Sequence, residues 1–551
     1  MNQSAMKKPN LNIALSQLNI KVGDLNGNKQ LILDAIQEAK NAHIDILVMT
    51  ELTVCGYPPE DLLFHQQFLD DCYDAVKSIA DHCIDLAVVI GFPRNHPNEP
   101  ELLHNSAALI QDGEIKMIYD KHKLPNYLVF DEKRYFTPGK HDGLAEIKIK
   151  DQLYKLGITI CEDIWYDAEP VVYQAEQGVD LLINISASPY ASGKIGSRIA
   201  MLQRRAKKFA TPLVYCNLVG GQDELIFDGT SCAIDAAGEL KILAPSFDAA
   251  FSQVNFAQPN TEITQPVTDD AELYDALVTC TRDYFQKNGF SQAVLGLSGG
   301  IDSALTAVIA ADALGAENVT GILMPSKYSS DHSIQDAQVL ADTLGMMSEL
   351  MPIKSMHQAF HTQLEPQFED YFKGQTDENI QARIRGTLLM AFSNNQNAIL
   401  LCTSNKSETS VGYTTLYGDM AGGFAPIKDL FKLQVYALCE YRNSIDPAGP
   451  VIPLNTITKP PSAELRPEQK DSDSLPEYEV LDEILKAYLH HHKDAQQIAS
   501  ALNQDIELVI KVLKMVDRNE YKRQQAAPGP RVTQMAFGKD RRMPITNGFV
   551  H

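Results

Sequence analysis

The sequence predicts two α/β layered domains separated by a short linker. Three observations carry this expectation: a chain of 551 residues, short β-rich apolar runs alternating with helix-periodic stretches in both halves, and an aperiodic interruption between the halves. In the second half the strand–helix rhythm further predicts a doubly wound, mainly parallel sheet.

A single hydrophobic core stops growing well below this length, so at least two cores are expected. Apolar residues at 44% and charged residues at 22% are ordinary for a globular protein and exclude a disordered, collagen-like or disulfide-scaffold chain. The formal charge of −23 disfavours non-specific binding to nucleic acid or an anionic membrane. It does not exclude small phosphate ligands, which a loop of backbone N–H groups can hold inside an acidic protein. The nine cysteines are scattered and never spaced CxxC, which argues against a disulfide framework and a structural zinc site and for a reducing compartment. The opening MNQSAMKKPNLN lacks the apolar core of a signal peptide. No run approaches the ~18 apolar residues that span a bilayer. A cytoplasmic protein is expected.

From residue 11 to about 251, strands are read in ILVM before Glu51, LAVVIGF, ITIC ending at Cys161, LLINIS and LVYCNL, with a helix over 28–42. FAQPNTEITQPVT at 256–268 reads as a linker, giving domains at 1–255 and 271–551 joined by 256–270. Beyond it, a helix is read over 271–286 and a strand over 293–297, then a helix ending near Gly315. The alternation continues with strand 319–324, helix 331–344, strand 349–353, helix 380–393 and strand 398–402. After Pro460 the pattern fails; PPSAELRPEQKDSDSLPEYE reads as a mobile loop before a C-terminal appendage. His490, His491 and His492 form a tract better read as a solvated helix face than as a metal site.

Glu51, Lys121 and Cys161 each end or follow an apolar strand, so three reactive groups can converge on one cleft. A lone cysteine after such a strand is more often a core residue. With the other two, the chemistry is coherent: a carboxylate can deprotonate a thiol, and an ammonium can stabilise an oxyanion. At these residues the first 250 or so positions resemble the nitrilase superfamily of C–N hydrolases, whose Glu-Lys-Cys triad cleaves amides through a thioester. YDKHKLPNYLVFDEKRYFTPG is similar to the glutaminase branch. The resemblance implies a nitrilase-like αββα sandwich, with Lys121 rather than Lys123 as the catalytic lysine. It also implies a second acidic residue, Glu132, supporting the site, and a glutamine pocket of Tyr127, Glu132, Ser188 and Lys194. By themselves the residues of SASPYASGK read equally as an ordinary turn.

AVLGLSGGIDS joins a strand to a helix through adjacent glycines, which let backbone amides approach a phosphate. Neither the Walker A pattern nor GxGxxG is present. Gly296, Ser298 and Gly300 also fit the serine-hydrolase pattern GxSxG, which leaves Asp302 and Ser303 without work. SGGIDS resembles the pyrophosphatase loop of ATP-dependent adenylating enzymes. That resemblance implies a Rossmann-like sheet of the adenine nucleotide α-hydrolase type, ATP held by Gly296, Leu297, Ser298, Gly299, Gly300, Ile301, Asp302 and Ser303, and Mg²⁺ bound by Asp302.

Several families share this loop. NIQARIRG, CTSNKSE, GYTTLYGDMAGGFAPIKDL and the terminal EYKRQQ…FGKDRRMPITN are similar to NAD synthetases. They imply ATP contacts from Thr403 and Lys432, Glu408 as second magnesium ligand, and deamido-NAD contacts from Asn379, Glu408 and Lys522. Arg383 and Arg385 suit phosphate or carboxylate partners, or equally an exposed helix face. Leu416 stands where single-domain, ammonia-only relatives carry a lysine, so that contact is not transferred.

Glutamine connects the halves. The implied activity is that of the glutamine-dependent NAD synthetase family: ammonia released from L-glutamine passes through an interdomain tunnel, and ATP-adenylated deamido-NAD is amidated, releasing AMP, pyrophosphate and glutamate. The family also implies a homo-oligomer. The rivals are another ATP-pyrophosphatase amidotransferase and a non-catalytic sensor of glutamine or nucleotide.

Overall fold

The computed structural model describes residues 10–258, 262–263, 269–368 and 374–549. The chain divides into two compact units, Met1–Val267 and Thr268–His551. Of the expected linker 256–270, residues 259–261 and 264–268 lie outside the described residues. Glu262–Ile263 pairs in parallel with the strand Leu240–Leu243.

The first unit is the expected αββα sandwich. One sheet runs in the order Ala250–Val254, Ile13–Gln17, Ile46–Val48, Ala87–Asn95, Leu103–Gln111, Glu114–Asp120. The facing sheet runs Glu262–Ile263, Leu240–Leu243, Cys232–Ile234, Leu213–Asn217, Leu181–Ser186, Gln152–Ile160, Leu144–Ile149. Strand periodicity explains how both faces are buried. Ile13, Leu15, Ile46, Val48 and Val89 meet Ile158, Ile160, Ile183 and Val214 between the sheets. Their alternates Ala14, Leu47, Val88 and Ile90 face the helices Leu25–Asn41 and Gln66–Ala80. On the other side Leu182, Leu213 and Tyr215 pack against the helix Lys194–Phe209. Runs that are apolar at every position are therefore central strands of a four-layer stack.

The second unit is built on a four-stranded sheet in the order Met347–Leu350, Val319–Leu323, Ala293–Gly296, Ile399–Leu401. All its pairings are parallel, as the doubly wound reading requires. Two details differ from expectation. The edge strand covers Met347–Leu350 rather than 349–353, and Ile353, past its end, packs in the core between the sheet and the helix Gln375–Gln396. A helix, Lys354–Phe368, went unread; it contains Pro366 and a weak apolar stripe. The segment after Pro460, read as a mobile loop, bonds to the rest of the unit through side chains: Glu464 accepts from Ser330 Oγ at 3.0 Å and Ser333 Oγ at 2.7 Å, and Gln381 Nε2 donates to the Leu465 carbonyl at 3.0 Å. Four helices follow, Tyr478–Leu489, Ala495–Leu502, Ile506–Arg518 and Glu520–Arg523. The first three share a core with Phe431 and Phe537.

Candidate active sites

In the first unit Glu51 lies just beyond the strand Ile46–Val48, Lys121 follows Glu114–Asp120, and Cys161 follows Gln152–Ile160. All three are buried. Lys121 Nζ donates to Glu51 Oε1 at 2.7 Å and to Glu132 Oε1 at 2.8 Å. Glu51 also accepts from Asn105 Nδ2 at 2.7 Å and from the Ala187 N–H at 2.8 Å. Tyr57 Oη donates to Glu132 at 2.9 Å. Lys123, two residues on, is half-buried and gives only its backbone N–H to this neighbourhood.

The electrostatics follow from two carboxylates sharing one ammonium away from water. Burial acts to lower the Lys121 pKa, but Glu132 and Glu51 hold it well above its ordinary value, so it is a fixed cation. Burial pushes Glu132 up to about 7, with Lys121 opposing and Glu51 adding. Burial also pushes the Cys161 thiol well above its usual range; the Glu51 charge adds to that and Lys121 opposes it. Burial thus favours the neutral thiol, and a thiol in such a place can attack a carbonyl only once its proton has been taken.

Cys161 has φ 44°, a left-handed backbone that a non-glycine residue adopts at a cost of about 1–3 kcal/mol. Asp163 holds it there. Its carboxylate accepts from the Ile160 N–H at 3.0 Å and Tyr119 Oη at 2.7 Å, and from the N–H groups of His122 at 3.2 Å and Lys123 at 2.8 Å. One side chain thus ties the backbone before Cys161 to the backbone after Lys121.

Of the residues expected to hold glutamine, Tyr127 and Ser188 stand on loops, Glu132 opens a 3-10 turn and Lys194 opens the helix Lys194–Phe209. Tyr127 is half exposed and donates to Glu162 Oε1 at 2.8 Å, beside Cys161. The Ser188 N–H donates to Asn217 Oδ1 at 2.9 Å. Lys194 Nζ donates to the Pro189 carbonyl at 2.8 Å and lies 5.9 Å from the centre of the Trp165 ring. Glu132 sits within the Lys121 cluster.

The second unit has a cavity of about 300 Å³ at the C-terminal ends of its parallel strands, where open α/β sheets bind ligands. Gly296, Leu297, Ser298, Gly300, Ile301, Asp302 and Ser303 line it, with Thr403, Glu408, Lys432 and Arg385. Gly299 is not in the lining. Its φ is 77°, and a Cβ there would lie 2.2 Å from the Ser333 carbonyl oxygen, so only glycine lets the loop pass this close to the next helix. Ser298 Oγ accepts from the Gly300 N–H at 3.1 Å, and Ser303 Oγ donates to the Gly300 carbonyl at 2.9 Å. The loop ends at the start of the helix Ile301–Leu314, whose unpaired N–H groups suit an anion.

Lys432 Nζ lies 2.5 Å from Asp302 Oδ2 and 2.9 Å from Glu408 Oε1. Burial would lower Lys432, but Asp302 and then Glu408 hold it above its ordinary value. Burial raises Glu408 to about 7; Lys432 opposes and Asp302 adds. Two oxygen donors that repel each other at the edge of a phosphate-binding loop fit a magnesium ion, which takes one or two carboxylates and completes its shell with phosphate and water. Asn405 joins the two halves of this arrangement: Nδ2 donates to Asp302 at 2.8 Å, and Oδ1 caps the helix Lys406–Val411 by accepting from the Glu408 N–H at 3.0 Å.

Asn379 and Lys522 stand outside the cavity lining and hold one neighbouring segment. Asn379 Oδ1 accepts from Thr415 Oγ1 at 2.9 Å, and Lys522 Nζ donates to the carbonyls of Gly412 at 2.9 Å and Thr414 at 2.8 Å. Of the two arginines, Arg383 is exposed, whereas Arg385 faces the cavity and burial pushes it down to about 10. His490 is packed against Lys406 and Phe431 rather than lying on a solvated face.

Sequence reading missed Asn105, Tyr57 and Asp163 in the first site, and around the second Asn405, Glu464 and Asp471, a cavity-lining carboxylate that accepts from Tyr478 Oη at 2.8 Å. Asn405 had a signal, because Asn with Glu three residues on marks a helix start. Asn105, Tyr57 and Glu464 act through long-range pairing that leaves no local pattern, as Asp163 does through Tyr119, His122 and Lys123, whereas Asp471 meets Tyr478 only seven residues on.

The chain matches the family model for carbon-nitrogen hydrolase over residues 12–257 and that for NAD synthase over residues 273–526. It is 43% identical to the glutamine-dependent NAD(+) synthetase of Aquifex aeolicus, covering 98% of this chain and 100% of that protein. Against the Synechocystis sp. protein of the same description it is 44% identical, covering 98% and 99%. Among solved structures, the glutamine-dependent NAD+ synthetase of Acinetobacter baumannii in complex with ADP is 41% identical with a TM-score of 0.79, covering 98% of this chain and 99% of that one. The corresponding Cytophaga hutchinsonii structure shares the fold at 24% identity, with a TM-score of 0.84 and 98% coverage of both chains.

Proposed function

Because the chain belongs to the glutamine-dependent NAD(+) synthetases, we propose that it amidates deamido-NAD to NAD with ATP, taking ammonia from L-glutamine. The observation that carries this is the presence in one chain of both constellations: the Glu51–Lys121–Glu132 cluster around Cys161, and the SGGIDS cavity with its carboxylate pair.

At the first site Glu51 takes the proton of Cys161, whose sulfur attacks the glutamine amide carbon. Lys121 neutralises the oxyanion. The C–N bond breaks, ammonia leaves with the transferred proton, and water activated by Glu51 hydrolyses the thioester to glutamate. The raised thiol pKa and the carboxylate beside it support this division of roles. Tyr127, Glu132, Ser188 and Lys194 are assigned to the glutamine pocket.

At the second site the nicotinate carboxylate of deamido-NAD attacks the α-phosphorus of ATP, and pyrophosphate leaves toward the loop amides and serines of residues 296–303. Ammonia then attacks the acyl carbon and AMP departs. Thr403 and Lys432 orient ATP, and Asn379, Glu408 and Lys522 are assigned to deamido-NAD. Asp302 and Glu408 would hold Mg²⁺, which when bound neutralises charge on the phosphate oxygens. Lys432, paired with both carboxylates, is the cation at this edge of the cavity and would face the ATP phosphates.

We further assign direct transfer of ammonia between the sites and a cytoplasmic homo-oligomer. The nine free cysteines, and the lack among the described residues of a helix long and apolar enough to cross a membrane, support the compartment. The test is product analysis with ATP, Mg²⁺, deamido-NAD and glutamine: NAD, AMP, pyrophosphate and glutamate should form in equal amounts. AMP formation triggered by another acceptor, such as XMP or aspartate, with none from deamido-NAD would overturn the assignment. Isotopically labelled bulk ammonium should be largely excluded from the NAD formed when glutamine is present.

A further inference from the structure

The second unit holds a side-chain cluster that neither site uses. His357 and His361 lie four residues apart on the helix Lys354–Phe368, so both imidazoles project from one helix face. Asp377, in the first turn of the helix Gln375–Gln396, meets them: its Oδ1 lies 2.6 Å from His357 Nε2 and 2.9 Å from His361 Nε2. The two rings stand at 83° with centroids 4.6 Å apart. One ligand atom from each residue lies within 4.8 Å of the other two, and His357 and Asp377 are buried.

From these residues we propose a zinc-class metal site of two imidazole nitrogens and one carboxylate oxygen, clamping the two helices together. Zinc binds imidazole at about 2.0–2.1 Å and carboxylate at about 2.0–2.2 Å, so tetrahedral ligands stand about 3.3 Å apart. The observed nitrogen–oxygen separations need to open by less than an ångström to admit the ion. Two histidines at i and i+4 are the helical spacing that presents both nitrogens to one zinc. Three protein ligands leave a fourth position for water.

The ligand chemistry separates this site from the carboxylate pair at Asp302 and Glu408. Imidazole selects zinc, cobalt, nickel or copper, whereas carboxylates and phosphate select magnesium. The cysteine spacing argues against a thiolate zinc site and is silent on a histidine–carboxylate one. The clamp has a structural consequence as well. The helix that carries Asp377 also carries Asn379 and Arg385, and Gln381, whose side chain holds the 460–465 segment against the cavity. A metal at its first turn would fix that helix to its neighbour.

The experiment is equilibrium dialysis of the full-length protein, stripped with chelator, against zinc chloride, comparing wild type with His361→Gln and with a His491→Gln/His492→Gln double variant. His361 is only partly buried, so its replacement should leave the fold intact, which the circular dichroism and thermal midpoint of each variant check. Wild type and the double variant should bind one equivalent of zinc. His361→Gln should weaken it by more than the roughly 10–100-fold that loss of an outer partner costs. Cobalt substituted into wild type should give the intense visible absorption of four-coordinate Co²⁺, lost in His361→Gln. Zinc binding that is absent from wild type, unchanged in His361→Gln, or abolished only in the double variant would overturn the proposal.

Discussion

Gly91→Ala tests how tightly the first site depends on the position of the Glu51 backbone. Gly91 sits in the strand Ala87–Asn95, and its N–H and carbonyl bracket the Glu51 turn by bonding Thr50 and Val54. A Cβ there would lie 2.2 Å from the Leu52 nitrogen, 2.7 Å from the Thr50 oxygen and 2.8 Å from the Glu51 carbonyl carbon, where real Cβ atoms keep at least 3.0 Å. Relief requires the turn to retreat by about 0.8 Å, the difference between 3.0 and 2.2 Å. Glu51 is anchored to Lys121, Asn105 and Ala187 by bonds of 2.7–2.8 Å, and such a shift would break or re-aim them. A misplacement near 1 Å costs roughly 100-fold in rate, about 2.7 kcal/mol of barrier. Overpacking should in addition destabilise the unit by about 1–3 kcal/mol. The assay is NAD formation with glutamine and, separately, with saturating ammonium. Glutamine-dependent kcat/KM should fall roughly 50–100-fold while the ammonium-dependent rate stays near wild type. A folded variant with an unchanged glutamine rate, or a parallel loss with both nitrogen sources, would refute the reasoning.

Three further outcomes follow from the same geometry. Asn105→Ala removes a hydrogen bond to a charged carboxylate, worth about 1.5–3 kcal/mol; the glutamine-dependent rate should drop roughly 10–150-fold with ammonium use spared, and parallel kinetics with both nitrogen sources measure it. Asp163→Asn turns an acceptor of four donors into a group that must donate; unfolding in urea should show a loss of about 1–3 kcal/mol, and glutamine use should suffer more than ammonium use. For Glu408, raised to about 7 in the metal-free protein, a proton competes with magnesium below that pH. Apparent Mg²⁺ affinity should therefore rise with pH by up to about tenfold per unit toward pH 7 and flatten above it, read by calorimetry in buffers of different ionisation enthalpy; a flat profile from pH 6 to 8 contradicts the assignment. The linkage has the matching sign for stability. Between the ordinary carboxyl range and about 7 the folded, metal-free protein keeps a proton that the unfolded chain has lost, so this group's contribution declines as pH rises through that window.

Much of the geometry of the two candidate sites was legible in the sequence, where reactive residues stand at strand ends and glycines shape a loop. Glu51, Lys121 and Cys161 stand where apolar runs stop; Glu51 and Cys161 lie just past strands with parallel neighbours, and Lys121 just past the antiparallel edge strand Glu114–Asp120. The SGGIDS loop announces itself because Gly299 must pass close to Ser333. Asn105 was not legible: it sits inside a strand, 54 residues from the carboxylate it serves, and only sheet pairing brings them together. Asp163 reads as one more polar residue after a strand, although four donors converge on it. The 460–475 segment has no periodicity, and its course is set by Glu464 meeting Ser330 and Ser333 and by Gln381 meeting Leu465. Helix Lys354–Phe368 was hidden by Pro366 and a weak stripe, and with it the pairing of His357 and His361 with Asp377.

The most direct test of the two-site account is Cys161→Ala assayed for NAD with ATP, Mg²⁺ and deamido-NAD, supplied with either glutamine or ammonium. The variant should make no NAD from glutamine and should make it from ammonium at close to the wild-type rate. Continued glutamine-dependent synthesis by the variant, or loss of synthesis from both nitrogen sources in a folded protein, would contradict the account.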